Sequence, residues 1–281
     1  MLMLIPDAEI DRWLVEDVPF GDLTTHALGI GERPGRMTFQ ARETLVVAAS
    51  EEAARLLVRV GCTVNEVCPS GAKVEAGTRL LVADGPAAAL LAGWKVAQTL
   101  MEYASGIATV AADIVQTARA VNPKVVVACT RKTFPGAKAI SLKAIMVAGA
   151  VPHRLGLSET VLVFPEHCVF LTGESLASAL ARLKCVCPER KIVIEINSSD
   201  QALLAAQAGA DVVQLEKFSP DVVATLVARM AEVTPHAKVA AAGGVNPANA
   251  ADYARAGAHI LVTSAPYFAP PSDIKVVISA R

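Results

Sequence analysis

Residues 191–218, KIVIEINSSDQALLAAQAGADVVQLEKF, decide the fold class. Ile192 to Ile196 and Val212 to Glu216 are apolar runs of strand length, and the alanine-bearing stretch between them has the length of a helix. A strand, a helix and a second strand in so short a span make a parallel crossover, whereas an antiparallel pair would be joined by a tight turn. Each run also carries an acid at its C-terminal end, Glu195 in the first and Glu216 in the second.

The same spacing recurs on both sides. Val125-Val126-Val127 and Val161-Leu162-Val163-Phe164 precede this unit, while Val239-Ala240-Ala241 and Ile260-Leu261-Val262 follow it, and every gap leaves room for a helix. Doubly wound sheets and α/β barrels both produce this alternation. No G-x-G-x-x-G opens a helix after the first of these strands, which argues against a dinucleotide site. Polar groups stand where the runs end: Thr130-Arg131-Lys132, Glu195, Glu216, Gly243-Gly244 and Thr263-Ser264. In a barrel those ends share one face, and chemistry collects there.

The residue types point to a reaction class. Gly243-Gly244 and Thr263-Ser264 offer backbone N–H groups and hydroxyls without bulk, a suitable cradle for phosphate. Glu195 and Glu216 suit a hard cation such as Mg2+, or can stabilise positive charge developing on a sugar carbon. Thr130-Arg131-Lys132 and the downstream Pro152-His153-Arg154 gather cationic donors for a doubly anionic ligand, with arginine supplying a planar fork. Together they predict transfer from a phosphosugar donor to an acid-bearing ring.

The N-terminal part reads differently. Pro6 to Val15 is an amphipathic helix with Ile10, Trp13 and Leu14 on one face, and Asp22 is placed to cap a turn in the loop that follows. Strands are expected at 36–41, 44–48, 64–67 and 80–83, around a helix from Glu51 to Val60 that ends at Gly61. Such a set makes a small α+β domain. Ala87 to Ala120 reads as a long alanine-rich helix with a candidate break at Ser105-Gly106, and Ile274 to Ile278 is expected to run back to the small domain. The expected domains are 1–110, joined by 271–281, and 111–270.

Composition narrows the function classes. More than half of the residues are hydrophobic, enough for a large core, and the net charge of -1 leaves no basic footprint for nucleic acid and no polybasic membrane patch. No apolar segment reaches spanning length, and Met1-Leu2-Met3-Leu4-Ile5-Pro6 turns acidic at once, unlike a signal peptide, so the expected location is the cytoplasm. Cys185 and Cys187 have no second pair at zinc-ligand spacing.

With those residues in view, the chain resembles the quinolinate phosphoribosyltransferases. The likeness is carried by EDVPFGDLTT (16–25), YASGIAT (103–109), TRKTFPG (130–136), HRLGL (153–157), His167 and AGGV (242–245). The resemblance implies a small N-terminal α+β sandwich domain plus an incomplete parallel α/β barrel. It also implies a homodimer with a shared active site, and transfer from phosphoribosyl pyrophosphate to a small anionic acceptor with Mg2+ and release of pyrophosphate. Under it Arg131, Lys132, His153 and Arg154 line the acceptor pocket together with Thr130. Lys95 stands where the family has an arginine reaching into the partner subunit's site. Glu195 and Glu216 fall near the ribose and metal, and Gly243, Gly244, Thr263 and Ser264 fall on the phosphate loops.

The departures from the family pattern set a direction. Phe164 replaces a pocket lysine, Cys129 replaces an aspartate, Trp94-Lys95 replaces Glu-Arg, Glu216 replaces an aspartate and Ala242 replaces a serine. These substitutions are similar to those of the family's molybdenum-transport-associated branch. Loss of the Phe164-position cation implies an acceptor with one negative charge fewer than quinolinate, or with a more apolar ring, because an unpartnered desolvated charge is costly. The alternative is a non-catalytic ligand-binding or regulatory paralogue on the same fold. Both acids together with Arg131, Lys132 and Arg154 favour the enzyme.

Overall fold

In the first segment of strand every second residue is apolar. In the computed structural model, which describes residues 3–281, this alternation forms an antiparallel sheet with one buried face. Met1 and Leu2, part of the N-terminal stretch read above, lie outside the described residues. The chain begins with α1 (Asp7–Asp17), α2 (Leu23–Ala27), β1 (Pro34–Ala41), β2 (Leu45–Val46), α3 (Ser50–Arg59), β3 (Thr63–Val67), β4 (Lys73–Val74), β5 (Arg79–Pro86) and α4 (Ala87–Val121).

It continues with β6 (Val126–Cys129), α5 (Lys138–Val147), β7 (Val151–Pro152), β8 (Val161–Val163), α6 (Pro165–Cys168), α7 (Leu176–Val186), β9 (Ile192–Ile196), α8 (Ser199–Gln207) and β10 (Val212–Glu216). The last elements are α9 (Pro220–Val233), β11 (Lys238–Ala242), α10 (Ala250–Arg255), β12 (Ile260–Thr263), a 3-10 turn (Ala265–Phe268) and β13 (Ile274–Ala280). No helix among the described residues is long and apolar enough to cross a membrane.

Two compact units emerge. The first holds the residues up to Ala112 together with Thr133–Ala148 and Pro266–Arg281, and the second holds Asp113–Lys132 and Gly149–Ala265. The sequence reading ran the barrel from 111 to 270 without a break. The structure instead groups α5 with the first unit, where Lys143 is tied to α3, and brings the C-terminal segment in from Pro266.

The first unit is built on the sheet β13-β1-β5-β3. Met37, Phe39 and Ala41 of β1 point into a core shared with Leu56 and Leu57 of α3, Leu81 and Ala83 of β5 and Ile274 of β13. β13 pairs antiparallel along β1, from Gly35 opposite Ala280 to Ala41 opposite Ile274. Asp22 caps α2, accepting from the backbone N–H groups of Thr24 at 2.9 Å and Thr25 at 3.2 Å.

Helix α4 runs unbroken through the expected break. Ser105 accepts a hydrogen bond from Ala48 N and Thr109 accepts one from Val46 N, so this helix satisfies donors next to the short strand β2. Gly106 is there for close approach: a Cβ at that position would lie 2.1 Å from the Pro270 carbonyl oxygen.

The second unit is a seven-stranded sheet in the order β7-β6-β12-β11-β10-β9-β8, with every pair parallel. All six expected runs are strands. The end strands β7 and β8 are not paired with each other, which leaves the barrel incomplete. The structure adds β7, two residues that alternation cannot reveal. Because all strands are parallel, Cys129, Val163, Ile196, Glu216, Ala242 and Thr263 end at one edge.

Candidate active site

At that edge lies a cavity of about 930 Å³ built wholly from the second unit. Thr130, Arg131, Lys132, His153, Arg154, Phe164, Glu195, Glu216, Gly243, Gly244, Thr263 and Ser264 all line it. Lys95 does not. It is exposed in the α4 part of the first unit, with its ammonium 4.2 Å from the centre of the Trp94 ring and 3.3 Å from Gln98 Oε1.

Backbone pairing fixes the cationic side. Thr130 N donates to Thr263 O at 2.9 Å, which continues the β6–β12 ladder into the loop, and His153 N donates to Cys129 O at 2.8 Å beyond β7. Arg154 is buried, with its guanidinium carbon 5.6 Å from the centre of the Phe164 ring. Burial, and then the charge of Arg131, lowers the Arg154 pKa, while burial and Arg154 lower that of His153. These cations repel one another. An anion placed among them would remove that repulsion.

The acidic side is strained in the opposite sense. Glu195 and Gln214 are directly paired on β9 and β10, and Gln214 Nε2 donates to Glu195 Oε2 at 2.6 Å. Burial raises the Glu195 pKa against that hydrogen bond, and the charges of Glu216 and Glu166 push it further up, with Lys132 opposing them. Gln214 itself is buried, and its Oε1 has no hydrogen-bond partner among the described residues. Two like-charged carboxylates of oxygen-donor type on one wall fit a hard cation. No three His, Cys, Asp or Glu side chains converge among the described residues, so Glu195 and Glu216 would share such an ion with oxygens of a ligand.

The loops after β11 and β12 show which atoms are available. Gly243 (φ 84) and Gly244 (φ 99) both occupy the left-handed region, and Asn246 and Asn249 each donate a side-chain N–H to Gly244 O at 3.0 Å. Thr263 is less available than its hydroxyl suggested: Oγ1 donates to Val245 O at 2.6 Å and accepts from Ala265 N at 3.0 Å. Its role in the fold is to hold one loop against the other. Free donors for an anion come instead from the glycine backbone and from Ser264.

Sequence reasoning left out Glu166, Gln214 and Lys217, which also line the cavity. Gln214 was within reach, since it shares a strand face with Glu216 two residues on. Glu166 stands just beyond β8 in a stretch read only through its resemblance, and nothing in the sequence set Lys217 apart from a solvated lysine.

Comparison with known proteins then bears on this geometry. Two family models match: "Quinolinate phosphoribosyl transferase, N-terminal domain" over residues 22–105 and "Quinolinate phosphoribosyl transferase, C-terminal domain" over 107–277. A Rhodobacter capsulatus protein bearing the name pyrophosphorylase ModD is 51% identical over 256 residues, covering 91% of this chain and 98% of the relative. The human carboxylating nicotinate-nucleotide pyrophosphorylase is 33% identical over 257 residues, covering 92% of this chain and 85% of its own. Among solved structures, NadC from Streptococcus pyogenes superposes with a TM-score of 0.90 at 22% identity and 99% coverage of both chains, a likeness of fold.

Proposed function

The chain belongs to the quinolinate phosphoribosyltransferase family and is a phosphoribosyltransferase, and from that premise we propose that its acceptor is an aromatic acid carrying one negative charge fewer than quinolinate, or a more apolar ring. The observation that supports this is the pairing of Phe164 with Arg154. An aromatic face stands where a second acceptor carboxylate would need a cation, and Glu166 adds negative charge to the same cavity.

The proposed roles follow from the two walls. Arg131, Lys132, His153 and Arg154 bind the acceptor's remaining anionic group and orient the ring against Phe164. Gly243, Gly244 and Ser264 bind phosphate of the donor. A nitrogen lone pair of the acceptor forms the new bond to C1 of the sugar as the bond from C1 to the diphosphate oxygen breaks, and the electron pair leaves with pyrophosphate. Glu195 and Glu216 face the positive charge that grows on C1 and stabilise it. The same two acids would hold Mg2+ with phosphate oxygens of the donor, and the bound ion would neutralise charge on the departing diphosphate.

Purified protein incubated with phosphoribosyl pyrophosphate, Mg2+ and a panel of pyridine and pterin-like acids tests this reading. Pyrophosphate release with a monoanionic acid, lost in Glu195→Gln, is the expected result. Turnover of quinolinate as efficient as that of any monoacid overturns the acceptor assignment, and binding without release overturns catalysis. Phe164→Lys should improve the use of quinolinate.

The proposal includes a homodimer in which Lys95 completes the partner's site. Phe20, Leu23 and Leu28 on the first unit are 99%, 79% and 64% exposed, an apolar set that a second copy would cover. Mixing Lys95→Ala chains with Glu195→Gln chains should restore activity that neither has alone. We place the enzyme in the cytoplasm and in molybdenum transport, the setting of the branch it resembles. Deletion should then alter growth under molybdate limitation and not under molybdate excess.

A further inference from the structure

We propose that Lys217 is a phosphate-binding residue of the donor site, an inference that rests on the reading of this cavity as a phosphoribosyl-transfer site. Lys217 follows β10 directly and adopts φ 62, in the left-handed region that favours glycine. Ala49 is the only other non-glycine residue at positive φ among the described residues. A lysine that served only to be solvated would gain nothing from this backbone. Outliers of this kind persist where the surrounding structure holds them in place.

The neighbouring strand does the holding. Lys217 N donates to Ala242 O at 2.8 Å, fixing the turn after β10 against the end of β11. The side chain then runs along the glycine loop. A Cβ built on Gly243 would lie 2.6 Å from Lys217 Cγ, 2.8 Å from Lys217 N and 2.7 Å from Glu216 Oε1. Gly243 therefore does two things: it allows the loop its conformation, and it leaves space for the lysine stem.

Lys217 is exposed and lines the cavity with Gly243, Gly244 and Ser264. No ion pair or hydrogen bond engages its side chain among the described residues, although Glu216 is adjacent in sequence. A mobile point charge beside free backbone N–H groups is the combination that recognises phosphate. Two phosphate-bearing parts of the donor could meet it, the sugar 5-phosphate or the diphosphate, and both present the same anionic oxygens.

Calorimetric titration separates them. Ribose 5-phosphate and inorganic pyrophosphate are titrated individually, with Mg2+, into wild type, Lys217→Asn and Lys217→Arg. Asparagine tolerates positive φ, so Lys217→Asn keeps the turn while removing the charge. The expected result is at least tenfold weaker binding of one of the two ligands to Lys217→Asn, with Lys217→Arg within threefold of wild type. Which ligand weakens identifies the phosphate that Lys217 meets. In steady state, KM for phosphoribosyl pyrophosphate should rise in Lys217→Asn while KM for the acceptor stays within twofold.

Equal binding of both ligands by wild type and Lys217→Asn overturns the inference. Wild type that binds neither overturns this inference and the donor assignment together. Wild type that binds them and yet releases no pyrophosphate with any acceptor overturns the catalytic reading alone and leaves Lys217 decided by the titration.

Discussion

Charge is used in two opposite ways in this molecule. In the first unit Lys143, with a side chain only 6% exposed, donates to Glu51 Oε2 at 2.8 Å and to Glu52 Oε2 at 2.5 Å, and Glu51 also takes Ser70 N at 2.8 Å and its hydroxyl at 2.5 Å. Each formal charge of this cluster has an opposite within reach. In the cavity of the second unit, Arg154 stands beside Arg131, and Glu195 beside Glu216 and Glu166, and among the described residues no salt bridge joins the two sets. The first arrangement is complete without a ligand. The second sets like charges side by side, an arrangement that suits an anion on one wall and a cation on the other and that distinguishes a candidate site more clearly than the presence of charges does.

The comparison breaks most visibly at Lys143. Lys143→Met leaves Glu52 buried without its cation and should cost about 3–5 kcal/mol of stability. Urea unfolding followed by circular dichroism measures it, and the Lys143→Met, Glu52→Leu double variant should recover most of the loss, since buried pairs replaced by apolar groups are often neutral. On the other side, Arg154→Met should lower kcat/KM roughly 100-fold, about 2.7 kcal/mol in the transition state, while the unfolding midpoint stays the same or rises. A fall in that midpoint comparable to that of Lys143→Met would show that Arg154 is structural.

The backbone provides a finer contrast within the site. Gly243→Ala puts a Cβ against Lys217 and Glu216 at a φ of 84, and should cost about 2 kcal/mol of stability along with most donor binding. Gly244→Ala meets nothing within 4 Å and bears only the strain of φ 99, about 1 kcal/mol. Melting curves of the two variants side by side check the order. Equal losses would mean that the Lys217 stem gives way.

These variants also mark where the sequence was legible. The strands could be read because β-branched runs such as IVIEI and VVQLE repeat at crossover spacing, and the strand-end acids and glycines could be placed because parallel strands send their ends to one edge. What could not be read were properties of approach. Gly106 looked like a helix break, and only the Pro270 carbonyl explains it. Thr263 looked like a phosphate donor until its hydroxyl proved to bridge Val245 and Ala265. Lys217 gave no signal, because positive φ at a lysine is set by the strand beside it and not by local preference.

The smallest expected effect gives the comparison its sharpest form, because the two regions should answer pH with opposite signs. Burial alone would raise Glu51, but Lys143 and Ser70 outweigh it and bring the carboxyl from 4.5 down to about 2. A depressed acid adds stability that is present above its unfolded value and lost as pH falls from about 4.5 through about 2. Glu195 is raised, so its neutral form is the one the fold prefers. Its contribution is present below 4.5 and lost as pH rises through the folded value. Both groups are partly exposed, which keeps the effects small. In ligand-free protein, Glu195→Gln should therefore be more stable than wild type above the Glu195 transition and equal to it below, whereas Glu51→Gln should be less stable above pH 4.5 and approach wild type as acid is added. Denaturant midpoints collected every half pH unit test the signs. If both variants move the same way, the division between paired and unpaired charge fails. If they diverge, the same ionisation of Glu195 that costs the fold stability is the one that Mg2+ and the sugar cation would use, and donor affinity should climb over the window in which stability falls.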